Sequence, residues 1–153
     1  MDSTSIESND PEQHSGLRAI DETGSAMPTG RVAFLFTDLE GSTRQWEAEP
    51  ELMHQAVARH DELAIGSIVR WNGVVFSTAG DSFAAAFHSV SDAIGAASEL
   101  QYALSAEQWP EPIVIRARMA IHVGIANERS GNYFGRCQRL CHPDPVHLLN
   151  QGD

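Results

Sequence analysis

Two aspartates in this sequence stand where their carboxylates could hold divalent cations. Asp38 follows the apolar run at residues 34–36 and precedes the turn Gly41-Ser42-Thr43, whereas Asp81 follows Gly80 between two further apolar segments. Magnesium is usually held by one or two carboxylates, with water and substrate phosphates as its other ligands. Two cations bridged by two aspartates activate an attacking oxygen and neutralise charge on a phosphate. The pattern therefore predicts a site for metal ions and a nucleoside triphosphate.

The turn after Asp38 adds a second feature of such a site. Gly41-Ser42-Thr43 opens a predicted helix, and unpaired N–H groups at a helix start attract phosphate oxygens. Each segment alone also has an ordinary explanation, in which Asp38 ends a strand, Ser42 caps a helix and Asp81 fills a turn. We favour the metal site because the predicted topology brings both aspartates to one edge of a sheet.

Hydrophobic patterning predicts four strands and three helices. The strands are expected at residues 32–36, 74–77, 82–87 and 113–125, and the helices at residues 42–47, 51–71 and 92–104. Gly73 is expected to end the second helix in a left-handed conformation, and Ser89 or Ser91 to cap the third. The order β-α-α-β-β-α-β indicates an α+β fold of the ferredoxin-like, split β-α-β type. Its antiparallel sheet has the order 4-1-3-2, with helices on one face.

Composition limits the function classes that remain. The length of 153 residues suits one domain, and the formal net charge of −11 argues against nonspecific nucleic-acid binding. Residues 1–29 are acidic and poor in large apolar side chains, which predicts a disordered tail. No apolar run reaches the roughly 20 residues of a membrane span, and the start has no features of a secretory signal. Cytoplasmic residence is therefore expected.

Histidine and cysteine offer weaker candidates. His60 interrupts the apolar stripe of the second helix, and we expect it at the boundary of the core rather than as a ligand. Cys137 and Cys141, with His142, could share one helix face, where a metal or a disulfide is conceivable. Metal binding is not favoured there, because a structural zinc site normally has four ligands.

Three motifs together resemble the class III adenylate/guanylate cyclase catalytic domain, most closely its bacterial and notably mycobacterial branch. They are residues 34–43, residues 79–83 and residues 132–135, within a resemblance that runs over about residues 31–140. The resemblance implies that Asp38 and Asp81 hold two Mg²⁺ or Mn²⁺ ions, and that the Leu39 backbone lies near a metal. It also implies that Leu39 and Gly41-Ser42-Thr43 contact the substrate, ATP or GTP. The implied product is a cyclic 3′,5′-nucleotide with pyrophosphate, made where two cyclase domains pair as a homodimer or heterodimer.

The sequence departs from this family at the positions that read the base and stabilise the transition state. Ser77 stands where the family usually has a lysine, and Asn132 stands where it has an acidic residue, so this pair would contact the purine through neutral groups. If a short deletion follows Gly135, Arg139 aligns with the family's catalytic arginine. The asparagine that positions the ribose is then missing.

The prediction for the whole chain is a tail at residues 1–29, a cyclase-like domain at residues 30–140 and a divergent or truncated tail at residues 141–153. Pro143 and Pro145 would break a helix in that last segment. Two functions stay open. The first is a nucleotidyl cyclase, with cyclic AMP favoured over cyclic GMP and with impaired activity. The second is a degenerate cyclase-like module that binds metal–nucleotide or regulates an intact cyclase.

Overall fold

The computed structural model describes residues 26–130 and 132–134, which form five strands and three helices. In chain order they are β1 (Gly30–Leu39), α1 (Ser42–Ala48), α2 (Pro50–Arg70), β2 (Val74–Ala79), β3 (Ser82–Phe87), α3 (Val90–Ala106), β4 (Ala117–Arg129) and β5 (Asn132–Phe134). The predictions for Arg139, for Cys137, Cys141 and His142, and for both tails apart from residues 26–29 lie outside the described residues. None of the helices described is long and apolar enough to cross a membrane.

The strands form one antiparallel sheet with the order β2-β3-β1-β4-β5. The predicted order 4-1-3-2 is therefore confirmed, and the short strand β5 adds a fifth member beside β4. Strand β1 lies at the centre, where Thr37 faces Phe83 of β3 and Asp38 faces Arg118 of β4. This register fixes which side chains meet at the end of β1.

Alternate residues of β1 are buried on opposite faces of the sheet, as expected for a central strand. Ala33 and Leu35 pack with apolar side chains of α2 and α3, which cover one face. On the other face, Phe34 packs with the rings of Phe76 and Tyr133, whose centroids are 5.8 and 5.1 Å away. The prediction of helices on one face is thus confirmed, and a small aromatic cluster covers part of the second face.

The second helix ends in a different way from the prediction. Asn72, not Gly73, takes the left-handed conformation, with φ of 57°. The N–H groups of Asn72 and Gly73 donate to the carbonyls of Val69 and Ile68, at 3.0 and 2.9 Å, which is a Schellman arrangement. Gly73 is needed for space instead, because a Cβ there would lie 2.4 Å from the Phe87 ring.

Of the two predicted serine caps at helix starts, one is confirmed and the other is wrong. Ser89 caps α3, since its Oγ accepts the backbone N–H of Asp92 at 3.2 Å. Ser42 does not cap α1. The N-cap is Gly41, in a left-handed conformation with φ of 65°, and it makes no side-chain capping bond. Ser42 is the first residue inside that helix.

Two further expectations need correction. The fourth strand begins at Ala117 rather than at Ile113. The side-chain amide of Gln45 takes up the backbone of Val114 instead: its oxygen accepts the Val114 N–H at 2.8 Å and its nitrogen donates to the Val114 carbonyl at 2.9 Å. His60 is fully buried instead of lying at the boundary of the core. Its Nδ1 lies 3.0 Å from Asp61 Oδ1, and its ring packs beside that of Phe83.

Candidate functional site

The two aspartates lie at the same rim of the sheet. Asp38 is the last residue but one of β1, and Asp81 occupies the two-residue turn between β2 and β3. Gly80 gives that turn the positive φ, 59°, that tight hairpin turns require at their first central position. Because β1 and β3 are antiparallel, the end of one strand meets the start of the other. Ser82, next to Asp81, donates its hydroxyl to Asp38 Oδ1 at 3.4 Å.

Asp38 also has a partner that the sequence did not reveal. The guanidinium of Arg118 on β4 forms an ion pair with Asp38 Oδ2. Both residues belong to the sheet face opposite the helices, and their side chains are 43% (Asp38) and 68% (Arg118) exposed. The alternation of β4 could have placed Arg118 on one face, but only its register with β1 places it opposite Asp38.

The turn after Asp38 leads directly into α1. Leu39 is buried among the side chains beneath the helices, so its side chain serves the core and its backbone stays at the rim. Glu40 donates its N–H to the carbonyl of Arg116 at 2.8 Å, which ties this turn to the segment before β4. Gly41 and Thr43 are exposed, and Ser42 is half-buried. The residues predicted to contact the triphosphate therefore lie next to Asp38 in an accessible loop.

A pocket of about 540 Å³ connects this loop with the turn that carries Asp81. It is lined by Ser42 and Trp46 of α1, by four α2 residues, and by the turn between β2 and β3; the lining residues are Ser42, Trp46, His54, Val57, Ala58, Asp61, Gly80 and Asp81. Its volume is in the range of small-molecule sites. Ser42 and Asp81, predicted from separate motifs, thus share one concave surface.

The two residues predicted to contact the base lie on the two edge strands of the sheet, Ser77 on β2 and Asn132 on β5. Ser77 is exposed on β2, opposite Ala84, just after a bulge that breaks the pairing between Val75 and Ser77. Asn132 begins β5, where its backbone pairs with Arg129. Their sequence neighbours Phe76 and Tyr133 nevertheless touch, with ring centroids 4.9 Å apart. The fold therefore brings the two segments together on the face opposite the helices.

Within residues 26–130 and 132–134, no group of three or more His, Cys, Asp and Glu side chains forms a ready metal cage. The donor set at the rim is two carboxylates, which is what Mg²⁺ commonly takes from a protein when phosphate oxygens and water complete its ligands. Asp38 and Asp81 thus fit such an ion by their chemistry and by their shared rim. Arg139, predicted to act on the transition state, lies outside the described residues.

No protein-family model matches this sequence. The adenylate cyclase of Podospora anserina is 32% identical over 128 residues, which cover 78% of this chain and 6% of that protein. An uncharacterised protein of Mycobacterium tuberculosis is 38% identical over 110 residues, covering 71% of this chain and 36% of that protein. The chain therefore spans only a small part of the length of these relatives.

Solved structures agree with the sequence relatives. A structure of adenylate cyclases from Trypanosoma brucei, analysed in their monomeric state, matches with a TM-score of 0.67 and 28% identity. The match covers 82% of this chain and 70% of that one. The sequence motifs, the sheet order and these relatives together show that the chain is a class III adenylyl/guanylyl cyclase catalytic domain homologue. The predicted mycobacterial likeness is confirmed by the relative in M. tuberculosis.

Proposed function

We propose that this domain is a nucleotidyl cyclase that converts ATP, in preference to GTP, into a cyclic 3′,5′-nucleotide and pyrophosphate. The observation that carries the proposal is the position of Asp38 and Asp81 at one rim of a cyclase-type sheet, where Ser82, the neighbour of Asp81, donates to Asp38. The preference for ATP is supported by the name of the fungal relative, which is an adenylate cyclase.

In the proposed reaction the ribose 3′-oxygen attacks the α-phosphorus of the triphosphate. A new P–O bond closes the ring, the bond from the α-phosphorus to the pyrophosphate oxygen breaks, and the 3′-hydroxyl proton leaves to solvent or to a base. Asp38 and Asp81 would hold two Mg²⁺ or Mn²⁺ ions, which would supply Lewis acidity and neutralise charge that develops on the phosphates. Pyrophosphate leaves in this same step, and no covalent intermediate with the protein forms.

The chain's own residues position the substrate for that step. The Leu39 backbone and Gly41-Ser42-Thr43 are proposed to lie along the triphosphate, because they follow Asp38 in an accessible loop beside the pocket. Ser77 and Asn132 are proposed to contact the base through neutral hydrogen bonds. Arg139 is proposed to stabilise charge in the transition state, as the aligned family arginine does.

The proposed active form is a pair of cyclase domains, either two copies of this chain or this chain with another cyclase domain. The sheet face that carries Asp38 and Arg118 supports this, because the helices within residues 26–130 cover the opposite face and both side chains are well exposed. A partner on that face would enclose the substrate, and exclusion of water strengthens the electrostatic interactions there.

A second function is favoured by specific residues. Ser77 and Asn132 replace the charged pair that usually reads the base, and Arg118 already neutralises Asp38. A chain with these features could bind metal–nucleotide without rapid turnover, or regulate an intact cyclase domain as its partner. The loss of one preorganised donor commonly costs about 3–4 kcal/mol of transition-state stabilisation, which is a hundred- to a thousandfold in rate.

The two functions are separated by incubating the purified chain with Mn²⁺ and either ATP or GTP, and identifying the product by mass spectrometry. The cyclase proposal predicts cyclic AMP from ATP at a higher rate than cyclic GMP from GTP. The regulatory proposal predicts no cyclic product from the chain alone, but a changed rate when it is mixed with an intact homologous domain. If the chain makes no cyclic product and does not change the rate of the homologous domain, both the cyclase function and the regulatory function are contradicted.

A further inference from the structure

The carboxylate of Asp38 has a protein partner on each of its two oxygens. Ser82 donates to Oδ1 from β3, at 3.4 Å, and Arg118 pairs with Oδ2 from β4. The two partners come from the strands on either side of β1, so the carboxylate is held from both sides. Of these partners only Arg118 carries a charge, and it is the opposite charge to that of Asp38.

A guanidinium and a divalent cation compete for the same carboxylate oxygen. Both are positively charged, and they repel each other when they approach within a few ångströms. The Arg118–Asp38 pair is therefore incompatible with full access of a cation to Oδ2. The pair is also easy to open, because Arg118 is 68% exposed and an exposed ion pair contributes little.

We propose that Arg118 is a positioning residue that acts as the counter-ion of Asp38 when no divalent cation is bound. It holds the carboxylate at the rim and lowers the affinity of the site for free cation, and it leaves Oδ2 when a cation arrives. This inference rests on the proposed metal site at Asp38. It adds a consequence, which is that cation affinity depends on the charge of a residue on the neighbouring strand.

The test is a set of equilibrium titrations with Mn²⁺ and no nucleotide, in which the free ion is measured by electron paramagnetic resonance. Arg118→Met removes the charge and keeps a long apolar side chain, whereas Arg118→Lys keeps the charge. Arg116→Met is the matched control. Arg116 is an exposed arginine in the segment just before β4, and the contact of its backbone carbonyl with Glu40 survives the substitution.

The dissociation constant for Mn²⁺ is expected to fall about three- to fivefold in Arg118→Met, which is the upper range for loss of an exposed ion pair. Arg118→Lys should stay within about twofold of the wild type, and so should Arg116→Met, since the oxygens of Asp38 contact Ser82 and Arg118. An arginine that only stabilised the fold would not make Mn²⁺ bind more tightly when its charge is removed and leave the affinity unchanged when lysine replaces it. Equal affinities in Arg118→Met and Arg116→Met would overturn the inference.

Asp38→Asn separates this inference from the proposed function. If Mn²⁺ binds the wild type and Asp38→Asn abolishes that binding, the site stands, and the Arg118 variants alone decide the inference. If Asp38→Asn leaves binding unchanged, or if neither the wild type nor Arg118→Met binds Mn²⁺, the inference fails, and the proposed function is then decided separately by the product assay with nucleotide present. Circular dichroism of each variant confirms folding, and Arg118→Gln, which also removes the charge, replaces Arg118→Met if that variant is unstable.

Discussion

Substitution of Gly95 by alanine gives a sharp test of how α2 and α3 pack. Gly95 lies in the first half of α3, against the indole of Trp71, the residue that follows the last turn of α2. A Cβ at this position would lie 2.4 to 2.6 Å from three carbons of the Trp71 ring, whereas carbon atoms pack best at about 3.5–4.0 Å. The ring would have to move by about 1 Å or more.

The expected loss follows from what that movement breaks. The indole N–H of Trp71 donates to the carboxylate of Glu99 at 2.7 Å, and hydrogen bonds to charged groups contribute about 1.5–3 kcal/mol. Overpacking typically costs about 1–3 kcal/mol by itself. Alanine gains back about 1 kcal/mol of helix propensity. The Trp71–Glu99 bond is exposed, so its loss is expected to cost less than that range, and water can replace it. We therefore expect Gly95→Ala to lower the free energy of unfolding by about 1–3 kcal/mol, mostly through overpacking.

Gly66→Ala is the matched control. Gly66 lies inside α2, and a Cβ there would meet nothing within 4 Å, so only the gain in helix propensity of about 0.5–1 kcal/mol remains. Both variants are measured by urea unfolding, followed by circular dichroism. A third variant, Gly95→Ala with Trp71→Ala, should recover the helix gain relative to Trp71→Ala alone. If Gly95→Ala proved as stable as Gly66→Ala, the packing of Trp71 on α3 would be refuted.

Two further predictions concern a helix cap and a buried phenol. Ser89→Ala should lower the free energy of unfolding by about 1 kcal/mol because the cap of α3 is lost, whereas Ser91→Ala should change it by less than about 0.5 kcal/mol; equal losses in urea unfolding would contradict this. Burial raises the pKa of the Tyr133 phenol, and the charge of Glu128 adds to the shift. The neutral phenol therefore stabilises the fold fully below about pH 10, and that contribution is lost as the pH rises further. Between about pH 8 and 11 the unfolding temperature should fall less steeply in Tyr133→Phe than in the wild type. Parallel falls in the two proteins would contradict a contribution of the Tyr133 phenol to stability.

Much of the fold was predictable because each element has a strong local signal. The apolar stripe of α2 placed that helix within one residue at each end, and the strand order followed from the sequence of elements. The rim position of Asp38 and Asp81 then followed from topology. These features depend on periodicity and chain order, which are properties of the sequence itself.

The features that were missed depend on contacts between distant segments. The ion pair of Arg118 with Asp38 depends on the register of β4 against β1, which periodicity alone does not fix. Ile113 and Ile115 alternate as strand residues do, but Gln45 takes up the backbone groups of Val114, so the strand starts later. His60 is buried beside Phe83, a residue of β3 distant in sequence, and its Nδ1 lies 3.0 Å from Asp61 Oδ1.

The rate of cyclic AMP formation from ATP and Mn²⁺, compared among the wild type, Asp38→Asn, Asp81→Asn and the double variant, tests the central claim most directly. Glu51→Gln, which changes an exposed carboxylate at the start of α2, is the control. If the two aspartates act as one metal site, each single variant should lose at least about a hundredfold in rate, and the double variant should be little worse than either. Cyclic AMP formation that persisted in both single variants would contradict the account, and so would a wild type without any product.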